Sequence, residues 1–253
     1  MQSISEIKSI LQEAVDEKAI ASFIEIYSSD ERAGVHKIVE SADKKLKALQ
    51  AEIKRSYDMR TYERQYENLG YLCGIDEVGR GPLAGPVYAA AVILPTDTDI
   101  LYLNDSKKLS EKKREELYDV IMEKAVAVGI GSRTCERIDE INILEATKEA
   151  MTDAVHSLSV KPGGLLIDAL HIPSLEEYQQ ISIIKGDAKS ASIAAASIIA
   201  KVTRDRIMKE YAREYPQYGF DSNKGYGSAE HIEALKKYGP CPIHRRSFIG
   251  NFV

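Results

Sequence analysis

In the first 57 residues the apolar positions recur at helical spacing. Ile7, Ile10 and Leu11 make one stripe, residues 19–27 a short apolar stretch, and Val35, Ile38, Val39, Leu46, Leu49, Ile53 and Tyr57 a long one. Ser3 followed by Glu6 reads as a capping box opening the first helix. Ser29-Asp30 reads as the start of a long helix that continues toward Tyr66, and Asn68-Leu69-Gly70 as its end. From Tyr71 the period changes. Residues 71–76 and 87–94 (VYAAAVIL) read as strands, 129–134 as a third with a start as early as Ala125, and 165–168 and 181–185 as two more. Helices are expected over 110–123, 142–158, 190–214 and 228–238, with Ser110 and Asn142 as caps. Strands alternating with helices predict an α/β layer fold over residues 71–253, preceded by a helical extension over 1–70 and ending in helices.

Composition narrows the class. A chain of 253 residues with 44% hydrophobic content can build a full core, as one large domain or a domain with an appendage. A net charge of −5 excludes a basic coat protein. Between Lys185 and Arg246, however, twelve Lys/Arg stand against seven Asp/Glu, enough for a basic face toward a polyanion. Cys73, Cys135 and Cys241 form no CxxC pair, which argues against a zinc site or a disulfide framework and for a reducing compartment. The acidic, periodic start is unlike a signal peptide, and no stretch has the apolar length of a membrane span. A soluble cytoplasmic protein is expected.

The chemistry concentrates in GIDEVGRGPLAGP, residues 74–86. Asp76 and Glu77 follow an apolar approach (Tyr71, Leu72, Ile75), and a buried carboxylate is expensive unless it is paired or holds a metal. Adjacent strand residues point to opposite faces, so both reach one ion only near a strand end or a bulge. Gly79 and Gly81 let a ligand approach the backbone N–H groups, with the Arg80 guanidinium between them. Asp168 ends the apolar run LLID, and Asp187 follows ISIIKG. Singly, Asp168 reads equally as a turn residue and Asp187 as a helix cap; together, four acids at strand exits or a helix start argue for a cation that relieves their repulsion. Oxygen-only ligands suit Mg²⁺ or Mn²⁺ rather than Zn²⁺, and two such ions can serve phosphodiester hydrolysis.

GIDEVGRGPLAGP, DSKKLS at 105–110, LLIDAL at 165–170, KGDAKSASIAAASIIAKVTRD at 185–205 and DSNKGYGSAEH at 221–231 together resemble bacterial ribonuclease HII, the type 2 ribonuclease H. Order and spacing agree from residue 71 to about 246. The resemblance implies a ribonuclease H-like mixed sheet flanked by helices. It implies an endonuclease that hydrolyses the RNA strand of RNA/DNA hybrids and incises 5′ of single ribonucleotides embedded in duplex DNA. Carried onto this chain, it makes Asp76, Glu77, Asp168 and Asp187 the metal-binding acids. Gly79, Arg80 and Gly81 match the segment that reads the ribonucleotide 2′-hydroxyl and the junction, and Tyr226 the tyrosine that stacks on the neighbouring deoxyribose. A 2′-OH contact is what separates RNA from DNA at one position.

Lys107 and Lys189 are the better candidates for phosphate contact among Lys107, Lys108, Lys185 and Lys189. Ser192, Ser197 and Lys201 read as packing or support behind Asp187, and none of the five histidines pairs with a Ser or Cys as a triad. No Walker-type loop is present. The extension, with eleven basic and thirteen acidic residues, reads as a brace or a partner site rather than a duplex clamp. The apolar tail from Ser247 to Val253 reads as packing on its own core, with docking on a sliding clamp as the alternative, and a monomer is expected. The rival readings are ribonuclease HIII, which departs from Gly79-Arg80-Gly81, and a silent hybrid-binding protein, against which all four acids stand.

Overall fold

A computed structural model describes residues 2–96 and 100–253 of the chain. Its contacts divide into two units, Met1–Asp58 and Met59–Val253. In the first unit lie α1 (Ile4–Glu13), α2 (Glu17–Tyr27) and nearly all of α3 (Ala33–Met59). The capping box forms as expected: Glu6 N–H donates to Ser3 Oγ at 3.2 Å and Ser3 N–H to Glu6 Oε2 at 2.7 Å. Asp16 caps α2 through Ala19 N–H at 2.8 Å. Ile7, Leu11, Ile20, Phe23, Val35 and Ala42 form this unit's buried core. The third helix begins at Ala33, later than expected, because the Asp30 carboxylate is taken by the backbone and guanidinium of Arg32. Nor does it run to Tyr66: the backbone turns out of helical geometry at Arg60 (φ −95°, ψ 17°), and α4 (Thr61–Gln65) follows.

The second unit is built on a sheet of order β3-β2-β1-β4-β5 among the described residues. Its strands are β1 (Leu72–Val78), β2 (Val87–Ile93), β3 (Ala127–Arg133), β4 (Gly164–Asp168) and β5 (Gln179–Ile183). β1, β2 and β3 pair antiparallel, while β4 lies parallel to both β1 and β5, so the sheet is mixed. The expected fifth strand at 181–185 sits two residues earlier, since Lys185 adopts a left-handed conformation (φ 57°) that no ladder tolerates. Helices α5 (Glu111–Lys124), α7 (Ile143–His156), α8 (Ala191–Glu214) and α10 (Ala229–Tyr238) match expectation and are capped by Ser110, Asn142, Ser190 and Ser228. The short α6 (Cys135–Ile141), α9 (Phe220–Asn223) and α11 (Arg246–Ile249) were not legible in the periodicity.

Period two along β2 sorts the core. Val87, Ala89, Ala91 and Ile93 pack with Ala146, Ala150, Met151 and Ala154 of α7; Ala90 and Val92 pack with Ala194, Ala195, Ile198 and Ile199 of α8 and Leu117 and Ile121 of α5. Helix α8 is apolar on nearly every face of its first three turns because sheet and α5 enclose it. It approaches β1 so closely that a Cβ on Gly74 would stand 2.1 Å from the backbone of Ser192. Residues 59–70 belong to this unit. Tyr62, Tyr66 and Leu69 pack on Leu72, Leu166, Ile183 and Ile193, and Glu63 Oε1 accepts hydrogen bonds from Ser190 Oγ (2.6 Å) and Ser192 N–H (2.9 Å) at the start of α8. The carboxylate thus adds a negative charge at a helix N-terminus.

Candidate active site

A cavity of about 490 Å³ opens at the C-terminal end of β1, lined by Asp76, Glu77, Val78, Gly79, Arg80, Gly81, Ser106, Lys107, Asp168, Ser197, Lys201 and Tyr226. No bulge in β1 brings the two adjacent acids together, contrary to one expectation. The ladder to β2 is unbroken from Cys73↔Ile93 to Val78↔Tyr88, with Asp76 opposite Ala90 and Glu77 opposite Ala89. The opening comes from the other side: pairing with β4 stops at Ile75↔Ile167, so the last residues of β1 have no neighbour on that edge. Asp168, the final residue of β4, enters the same gap. Ligands of open α/β sheets bind at such carboxyl ends of parallel strands.

Electrostatics within the gap are unfavourable for three acids alone. Asp76 is buried, and desolvation first, then the charges of Glu77 and Asp168, push its pKa well above the usual carboxylate range. Its partners are Glu77 N–H at 2.8 Å and the Ser197 side chain, itself 3.0 Å from Ser106 Oγ. Burial raises Glu77 as well, against the opposing pull of Arg80, whose Nη1 lies 3.4 Å from Oε1. Asp168 Oδ1 accepts from Gly186 N–H at 2.9 Å. Asp187 does not line the cavity wall. It sits in the tight turn Gly186–Ala188, raised first by burial and then by Asp105 and Asp168. Its alternative as the cap of α8 is excluded, since Ser190 fills that place. Among the described residues no three His, Cys, Asp or Glu side chains close into a metal cage as placed. The donor set fits a hard divalent cation nonetheless: all-oxygen, mutually repelling and desolvated.

Lys107 reaches this cluster and favours the charged forms of Glu77 and Asp187, whereas Lys189 is exposed and lies off the cavity. The glycine loop is held by two arginines that sequence reasoning missed. Arg245, with no exposed surface, donates from Nε to Gly85 O (3.0 Å), from Nη1 to Arg80 O (2.9 Å), and from Nη2 to Gly79 O (2.5 Å) and Gly85 O (2.7 Å). Arg204, equally buried, donates to Pro86 O, Lys224 O and Ala84 O at 2.9–3.1 Å. Neither forms an ion pair with a carboxylate among the described residues. Gly79 (φ 91°) admits no side chain, since a Cβ would stand 2.3 Å from Arg204 Nε. Tyr226, 42% exposed, faces the loop, its Cε1 3.8 Å from where a Gly81 Cβ would be. No spacing signal could have flagged Arg204 or Arg245, because a buried arginine in sequence looks like a solvated one.

A mixed sheet with acids gathered at the ends of its two central parallel strands, beside a glycine loop, defines a nuclease of the ribonuclease H-like class. Comparison sharpens this. Residues 73–251 match the family described as Ribonuclease HII, and residues 3–67 the Ribonuclease HII N-terminal domain. The ribonuclease HII of Lachnoclostridium phytofermentans is 59% identical over 250 residues, 99% of this chain and 98% of that one. Among solved structures, the ribonuclease H2 of Pyrococcus horikoshii OT3 superposes with a TM-score of 0.58 at 30% identity, covering 70% of this chain and 92% of that one. The ribonuclease HII in the PCNA:RNase HII complex from Archaeoglobus fulgidus gives 0.61 at 28% identity, covering 72% and 96%. The chain belongs to the ribonuclease HII family, metal-dependent endoribonucleases that hydrolyse RNA in RNA/DNA hybrids.

Proposed function

We propose that this enzyme also incises duplex DNA 5′ of a single embedded ribonucleotide, with Asp76, Glu77, Asp168 and Asp187 as the ligands of one or two Mg²⁺ or Mn²⁺ ions. The observation that carries the reading is one cavity holding Asp76, Glu77 and Asp168 together with Gly79, Arg80, Gly81 and Tyr226. Divalent ions bound there supply Lewis acidity toward the attacking water and the departing 3′ oxygen. The chain's own groups do the rest. Arg80 and Lys107 meet phosphate charge, and the exposed Gly81 lets the strand approach the backbone of the loop that Arg245 and Arg204 hold. The Tyr226 ring offers a face to a sugar without a 2′-hydroxyl. Lys189, exposed and off the cavity, is a phosphate contact in this reading.

The expected products are a 3′-hydroxyl on the deoxyribonucleotide that precedes the ribonucleotide and a 5′-phosphate on the ribonucleotide itself. A duplex with one ribonucleotide, incubated with Mg²⁺, with Mn²⁺ or with chelator, and mapped at single-nucleotide resolution, tests this. Cleavage at that step only with a hard divalent ion is the expected result; zinc-only or chelator-indifferent cleavage sinks it. A monomer working in the cytoplasm completes the reading. For a clamp contact the support is the archaeal complex alone. In this chain Phe248, Ile249 and Phe252 pack with Leu83 and Leu235, so the tail is read as part of its own core.

A further inference from the structure

His231 and His244 form a directional hydrogen-bond relay that ends on Tyr226. Both imidazoles are buried, with 0% and 1% exposure. Their tautomers follow from what lies at each end. Cys241 N–H, which can only donate, points at His244 Nδ1 at 3.0 Å, so neutral His244 carries its proton on Nε2. That proton faces His231 Nε2 at 3.0 Å, which must therefore accept. His231 is left with its proton on Nδ1, 2.8 Å from the carbonyl oxygen of Tyr226, which can only accept. The two ends agree on one arrangement. Tyr218 and Phe220 wall the pair, with ring centroids 4.9 Å from His244 and 5.3 Å from His231, so no bulk water stands in for a lost partner.

The residues just before the Tyr226 peptide, where the relay ends, are tied by Arg204 Nη1 to Lys224 O (2.9 Å) and by Gly225 N–H to Asn223 Oδ1 (2.8 Å), while the peptide itself has few other partners. Tyr226 N–H donates to Asn223 O (2.9 Å), and its carbonyl takes one further bond, from Ser228 N–H (2.8 Å). Gly225, immediately before it, ties the segment to the glycine loop by accepting from Leu83 N–H at 2.8 Å. The ring itself is free of partners that would fix its plane among the described hydrogen bonds, so its direction is set through its backbone. We propose that His231, locked in one tautomer by His244, is a positioning residue: it orients the Tyr226 ring for stacking and thereby sets selectivity for the ribonucleotide–deoxyribonucleotide junction, without touching substrate. This rests on the reading of Tyr226 as the sugar contact.

The test uses the full-length enzyme and the ratio of kcat/KM on a single-ribonucleotide duplex to kcat/KM on a continuous RNA/DNA hybrid. His231→Leu should lower that ratio by about three- to tenfold, the scale of one buried hydrogen bond. His231→Asn, whose amide offers a donor in place of Nδ1–H, should restore most of it. In a Tyr226→Ala background His231→Leu should have no further effect on the ratio, because the relay acts only through that ring. An undiminished effect in that background, or an unchanged ratio for His231→Leu while Tyr226→Ala lowers it, overturns the inference. A ratio unaffected by Tyr226→Ala overturns instead the reading of Tyr226 on which it stands. Should the leucine variant fail to fold, ¹⁵N-histidine spectra of the wild-type protein decide. Protons on His231 Nδ1 and His244 Nε2 are expected, and either opposite tautomer refutes the relay.

Discussion

Replacing Arg245 by methionine should loosen the glycine loop and weaken the whole catalytic unit. Methionine keeps roughly the length and apolar body of the side chain but none of its donors. The buried carbonyls of Gly79 and Gly85 and the partly buried one of Arg80 lose their bonds to the guanidinium. Each unsatisfied buried carbonyl costs about 1–3 kcal/mol. Part of this is offset. The guanidinium is itself desolvated, with burial and then Arg204 pulling its pKa down to about 10, so removing it relieves a strained charge. The carbonyls outnumber that relief, and the net loss is placed at about 2–4 kcal/mol, which lowers Tm by roughly 5–15 °C. Thermal denaturation followed by circular dichroism measures it, beside steady-state cleavage of a hybrid, where KM should rise. Arg245→Lys should lose nearly as much, since one ammonium cannot serve three carbonyls in a planar fork. An Arg245→Met protein with unchanged Tm and KM would refute the idea that this arginine holds the loop.

Asp168→Asn should abolish cleavage while leaving the fold intact, as the amide keeps the shape of a carboxylate whose charge the proposed metal site needs; near-normal turnover in Mg²⁺ contradicts its role. Removal of residues 2–58 should leave a folded, active catalytic unit, whereas removal through residue 70 should cost further thermal stability. The longer deletion strips Glu63 from the start of α8 and uncovers Leu72, Leu166 and Ile193; equal Tm values for the two truncations would count against that. The His244 contribution to stability should fall as the pH drops from 6.5 toward 4, opposed by the raised Asp76, Glu77 and Asp187 carboxyls, which take up protons in the folded state. Burial, then the neighbouring His231, press His244 down to about 4, with Cys241 facing the ring and Arg246 nearby, so over this range the unfolded chain binds a proton that the folded one refuses. That contribution has a slope of at most about 1.4 kcal/mol per pH unit, and it is read as the difference between wild type and His244→Gln in urea titrations across this range; a difference that does not change with pH counts against it.

Local chemistry made much of this protein legible along the chain. The helix caps at Ser110 and Asn142, the period-two strands and the capping box at Ser3 depend on residues within a few positions of one another, so spacing alone reveals them. The acids were legible for a related reason: a carboxylate at the end of an apolar run is a local conflict, and LLID and GIDE carry it in plain view. What required the tertiary structure was everything set by a distant partner. Strand β4 stops short of β1, and only that places Asp76, Glu77 and Asp168 in one opening. Lys107 and Lys189 looked alike until the fold put one in the cavity wall and left the other exposed and off it. Arg245 holds a loop 160 residues earlier in the chain, and His231 reaches Tyr226 through a tautomer that His244 dictates. Hydrogen bonds of that kind depend on where buried donors end up, and no periodicity records a position that packing alone decides.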